Sequence, residues 1–141
     1  MTYSTSTIRE TVRHEPPPTI HGPEDVARLA RPAFGDGRRE MFLALLLNAR
    51  HELLRIETVS VGSLNASIVH PREVFRRAML DSAAAVILAH NHPSGDPEPS
   101  DEDLIMTKRL AEVGELVGIA VLDHVIIAGD AYLSLRARDA F

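Results

Sequence analysis

The sequence predicts an α/β sandwich, one mixed β-sheet with helices packed on its faces. Three observations predict it. Apolar periodicity orders the elements as helix, two strands, helix, strand, helix, two strands. The run AAAVILAH at 83–90 is almost wholly apolar, as a central strand covered on both faces must be. Aromatic residues make up 4% of the 141 residues against 45% hydrophobic in all, so one core of Leu, Ile, Val and Ala must fill the space between layers.

Each element has its own signal. Residues 1–19 read as a flexible N-terminal arm, rich in Ser and Thr and extended at Pro16-Pro17-Pro18, and residues 20–141 as the folded domain. The segment GPEDVARLARPAF opens a helix at Pro23, with acids after it and Val26, Leu29 and Ala30 on one face; Arg31-Pro32 ends it. Asp36 between two glycines makes a turn. Residues 40–48 and 52–62 read as strands, the second alternating imperfectly, and a polar connection containing Asn65 follows. Pro71 opens a helix whose apolar stripe is Val74, Phe75, Ala78 and Met79. After the strand 83–90 and a proline-rich loop, SDEDLIMTKRLAEVGELVG is a helix with an inward stripe of Asp103, Met106, Leu110, Val113 and Val117. Two closing strands meet at Gly129-Asp130.

Composition narrows function. With no cysteine, disulfides and thiolate ligands are excluded, and any transition metal must rely on His and carboxylates. A net charge of −5 with scattered arginines disfavours a nucleic-acid module. No run of about 18 apolar residues indicates a membrane span, and the polar N-terminus lacks a signal-peptide core. The chain reads as cytoplasmic.

The chemistry gathers in ILAHNHPSGDPEPSDED. Residues two apart in a strand face the same way, so His90 and His92 can reach one point, and Pro93 holds His92 extended. Ser100 and Asp103 share a face of the following helix near its first turn. Asp103 heads the buried stripe, where an acid needs a partner or a metal. Ser-x-x-Asp is also close to a capping box, which alone accounts for that pair. Together, His90, His92 and Asp103 form an N2O set with one position open, the pattern of catalytic zinc, with one Zn2+ per chain. A carboxylate outside that set has to move the proton, and Glu40 is the candidate. Antiparallel pairing of 40–48 with 83–90 brings it to the histidines, parallel pairing sends it to the opposite end, and spacing does not choose between them.

Glu40 with HNHPSGDPEPSDED resembles the JAMM motif of JAB/MPN metalloproteases. The blocks LNASIVHPREVFRRAM, AAAVILAHNHPSGDPEPSDED and VLDHVIIAG are similar to the RadC-like branch of that family. The resemblance runs from about residue 22 to the C-terminus. It implies a JAB/MPN-type sandwich of cytidine-deaminase-like architecture, and zinc held by His90, His92 and Asp103. Glu40 would be general base and then acid, and Ser100 an oxyanion donor. It further implies cleavage of peptide or isopeptide bonds in a protein or peptide, including conjugates of ubiquitin-like modifiers. RadC-like proteins often carry a preceding helix-hairpin-helix region, which this chain is too short to hold, so the resemblance implies no DNA association through it. A non-catalytic protein- or DNA-binding module on the same fold is the alternative, and oligomer formation is left open. A serine hydrolase lacks its G-x-S-x-G elbow.

Four further residue groups have local readings. Ser94 and Gly95 shape the turn. His124 reads as a hydrogen-bonded core histidine, with an outer partner of the metal site as the alternative. Asn65 and His70 flank a helix entry, and His14, His21 and His51 join no pattern.

Overall fold

The structure is a computed structural model that describes residues 16–62 and 69–141. Asn65, His14 and most of the expected N-terminal arm lie outside the described residues. Helix α1 (Pro23–Ala30) leads into a 3-10 turn (Arg31–Phe34), then strands β1 (Met41–Leu47) and β2 (Leu53–Val61). Helix α2 (Pro71–Leu80), strand β3 (Ala85–Asn91), helix α3 (Asp101–Val117), and strands β4 (Ala120–Ala128) and β5 (Ala131–Ser134) complete the chain. This is the expected element order.

The five strands form one mixed sheet in the order β2-β1-β3-β4-β5. β1 runs antiparallel to both β2 and β3, β3 and β4 are parallel, and β5 returns antiparallel to β4. The parallel pair needs a crossover, which α3 supplies. Every residue of β3 is buried, as its apolar run requires of a strand with helices over both faces. Phe42, Ala44, Leu46, Val86 and Leu88 face α2 and α3, where Val74, Phe75, Met106 and Leu110 cover them. Leu43, Leu45, Leu47, Ile87 and Ala89 face α1, under Val26, Ala27 and Ala30.

Two expected stripes shift. Met79 is 53% exposed, leaving Val74, Phe75 and Ala78 as the buried face of α2. On α3 the buried residues are Asp103, Met106, Thr107, Leu110 and Gly114, while Val117 turns outward. A stripe spaced at 3.5 residues slips by about 20° per heptad on a helix of 3.6, so the contact face moves on to Thr107 and Gly114. A Cβ on Gly114 would lie 2.5 Å from the Ile119 carbonyl oxygen, so only glycine permits this approach. Before α1, Pro18–Ile20 pair with the chain at 51–53: Leu53 N–H donates to Pro18 O and Ile20 N–H to His51 O.

Candidate metal centre

The antiparallel pairing of β1 and β3 decides the position of Glu40. Phe42 stands opposite His90 in the register. Extending that register by two residues sets Glu40 across from His92, at the end of the sheet where β3 gives way to its loop. Carboxylate and imidazole atoms of Glu40, His90 and His92 lie within 4.8 Å of one another, close enough to hold a metal ion. Among the described residues, His21, His51, His70 and His124 are not part of that group.

Asp103 comes from the other side, on the first turn of α3. Its Oδ1 is 3.3 Å from His90 Nε2 and its Oδ2 is 3.2 Å from His92 Nε2, while the two Nε2 atoms are 3.0 Å apart. Asp103 thus lies closer to the imidazoles than the outer limit of the Glu40 group. Ser100 is the N-cap: its Oγ accepts the Asp103 N–H at 3.0 Å and its own N–H donates to Asp103 Oδ2 at 2.8 Å. The capping box is real, and it aims the carboxylate at the histidines. The two readings of Ser-x-x-Asp therefore coexist.

The turn after β3 holds His92. Its Nδ1 donates to the Asp96 carbonyl oxygen at 2.8 Å, so in the neutral ring Nε2 is a bare lone pair facing the cluster. Ser94 Oγ accepts from the Asp96 N–H, a local turn contact. In the metal-free chain the Asp103 carboxylate beside it raises the His92 pKa above the ordinary imidazole value, against the cost of burial. Burial opposes ionisation of Asp103, but both imidazoles and the Ser100 N–H outweigh it and hold the carboxyl below the usual range. The cluster therefore favours positive charge in the place where acceptor atoms converge, and these residues could hold a cation there.

Two buried partners escaped the sequence. Asn91, between the histidines and pointing to the opposite face, accepts the Met41 N–H at 2.8 Å and donates to the Arg39 carbonyl oxygen at 2.9 Å. It fixes the backbone on both sides of Glu40. An Asn in a wholly buried strand must spend its amide somewhere, and that was the available signal. Thr107 lies off the expected stripe, so helix spacing alone does not mark it. It bonds His124, whose Nε2 sits 2.7 Å from His90 Nδ1. His124 is fully buried, and that burial pushes its pKa well below the ordinary value.

A cleft of about 320 Å³, lined by Arg31, Phe34, Gly37, Asn91, His92 and Ile127 among others, opens beside His92. No helix among the described residues is long and apolar enough to cross a membrane.

Known proteins share this chain's pattern. A family model described as RadC-like JAB domain matches residues 20–140. A UPF0758 protein of Alkaliphilus oremlandii is 56% identical over 117 residues, covering 83% of this chain and 50% of that protein. One from Methanosarcina mazei is 50% identical over 127 residues, covering 90% and 56%. One from Listeria monocytogenes is 51% identical over 122 residues, covering 86% and 54%. The chain spans about half the length of these relatives. A five-stranded mixed sheet flanked by helices, His-x-His at the end of its central strand, and a family match over nearly the whole described domain lead to one conclusion: the chain belongs to the RadC-like JAB domain family.

Proposed function

We propose that this chain is a zinc-dependent hydrolase that cuts peptide or isopeptide bonds in a protein or peptide, conjugates of ubiquitin-like modifiers being one such substrate class. One observation carries the reading: His90 Nε2, His92 Nε2 and the Asp103 carboxylate lie 3.0–3.3 Å from one another. Tetrahedral zinc with bonds of about 2.0–2.2 Å separates its ligand atoms by about 3.3–3.6 Å, a few tenths of an ångström wider than the present spacing. These residues fit that ion, and a set of three leaves one position for solvent or substrate. When bound, zinc supplies Lewis acidity that brings the deprotonation of water towards neutral pH.

The remaining work belongs to the chain. Glu40, next to the imidazoles and outside the trio, takes the proton of the attacking water and returns it to the leaving amine. The Ser100 oxygen accepts the Asp103 N–H; among the described residues its hydroxyl proton has no acceptor, and it can stabilise the carbonyl oxygen as it gains charge. Asn91 holds the Glu40 backbone in place.

Metal analysis combined with Glu40→Gln tests the proposal. The parent should carry about one zinc per chain and the variant should retain it. Cleavage of an isopeptide-linked substrate should disappear in the variant, because an amide can orient water but not accept its proton. Cleavage undiminished in Glu40→Gln would remove Glu40 from its role. A chain that stays metal-free when offered zinc would favour the non-catalytic binding module.

A further inference from the structure

We propose that Thr107 and His124 are positioning residues that place the proton of His90 on Nδ1 and so leave its Nε2 lone pair free for a metal ion. The inference deepens the metal-centre reading above and rests on it for its functional meaning. It follows from hydrogen-bond direction along three buried contacts.

The first contact sets the direction. Thr107 lies one helical turn after Asp103, and its hydroxyl donates to the Asp103 carbonyl oxygen at 2.6 Å. A carbonyl only accepts, and a hydroxyl has one proton, so that proton is committed. At the second contact, Thr107 Oγ1 and His124 Nδ1 are 2.5 Å apart. Oγ1 can only accept there, and His124 must carry its proton on Nδ1. His124 is 0% exposed and, among the described residues, hydrogen-bonds no carboxylate through its ring, so a charged ring there would be uncompensated. The ring is neutral and its Nε2 is bare. At the third contact, His90 Nδ1 lies 2.7 Å from that bare nitrogen and therefore donates. The lone pair of a neutral His90 is left on Nε2, which faces His92 and Asp103.

The reverse assignment is disfavoured. A proton on His90 Nε2 would leave two lone pairs 2.7 Å apart in a fully buried site. Both rings are 0% exposed, and Phe42 packs against them with its ring centroid 5.9 Å from that of His90 and 5.5 Å from that of His124. The relay begins on the backbone of one proposed ligand, Asp103, and ends on the ring of another, His90. It therefore ties the orientation of α3 to the tautomer of a residue on β3.

Two measurements on the purified full chain test it. In the metal-free protein at alkaline pH, where free imidazoles are neutral, nitrogen-15 NMR of the ring nitrogens should report His90 and His124 both protonated on Nδ1. In Thr107→Val, which keeps the shape but loses the hydroxyl, His124 is released and His90 should populate the Nε2-protonated form. Zinc affinity, read by competition with a chromogenic chelator on protein shown to be folded by circular dichroism, should fall roughly 10–100-fold. Thr107→Ser, which restores the hydroxyl, should recover most of it, and His124→Leu should reproduce the loss. A parent His90 protonated on Nε2 overturns the relay, as does Thr107→Val binding zinc as tightly as the parent. Failure of the parent to bind zinc, with His90 protonated on Nδ1, would refute the metal-centre reading while leaving the relay standing, so the two failures are distinguishable.

Discussion

The two faces of the sheet are made from alternate residues of the same strands, yet they serve opposite ends. Under α1, Leu43, Leu45, Leu47, Ile87 and Ala89 form a wholly apolar layer. Under α3, the layer begins the same way with Phe42, Val86 and Leu88, but at the end of β3 it becomes His90, His124, Thr107 and Asp103, all buried. One layer is held by shape and transfer free energy, which tolerates changes that keep volume. The other is apolar over most of its area too, but at the end of β3 it is held by directional contacts, in which removing one member leaves the rest unsatisfied. Strand parity therefore confines the buried polar cluster to one face of the sheet, beside the apolar core of that same face. The triplet at 90–92 does so within three residues: its histidines serve the α3 face, and Asn91 serves the other.

Four experiments break or sharpen this contrast. The largest effect belongs to the polar face: Asp103→Ala should abolish stoichiometric zinc, measured by elemental analysis, because it removes one of the three proposed ligand groups and the capping contact that aims it. On the apolar face, Leu45→Ala should cost about 2–5 kcal/mol in denaturant unfolding, while zinc per folded chain stays at the parent value. Loss of zinc there would mean that the faces are coupled. Ser100→Ala sits where the two functions meet. If its hydroxyl stabilises the oxyanion, the rate should fall roughly 10²–10³-fold; if it only caps α3, the loss is about 1 kcal/mol of stability with the rate per folded chain preserved.

The smallest effect is a pH dependence. The His92 pKa is raised in the metal-free chain, so its pairing with Asp103 stabilises the fold below the unfolded imidazole value of about 6.5 and fades as pH rises through the folded value. The Asp103 pKa is lowered, so its contribution is present above the unfolded carboxylate value of about 3.9 and is lost in acid. Without metal, the cluster stabilises most between these limits. In the proposed site zinc competes for the same His92 lone pair, so the rise in Tm on adding zinc should grow as pH increases from about 6 to 8. A zinc-induced shift that is flat over that range would exclude His92 from the ligand set.

Much of this was legible beforehand, for local reasons. Apolar period and turn residues mark every α-helix and strand among the described residues, though not the 3-10 turn at Arg31–Phe34. Strand parity put His90 and His92 on one side, and helix spacing joined Ser100 to Asp103. What local spacing could not reveal was which nonlocal partners each residue would meet. Asn91 gave only the general warning of a buried amide. Thr107 looked like an ordinary helical residue because the stripe was projected at 3.5 residues per turn. His124 is readable as a core histidine or as an outer partner of the metal site, and nothing local shows that both hold, with His90 as the partner.

By itself, then, the sequence determined the secondary elements, the His-x-His geometry and the capped aspartate, since each depends on residues within a few positions of one another. Only the tertiary structure decided that β1 runs antiparallel to β3, which brings Glu40 to the imidazoles, and that β4 lies beside β3, which sets His124 against His90. Strand direction and order are settled by how whole layers bury their surfaces, a free energy summed over the entire core, and no short stretch of residues contains that sum.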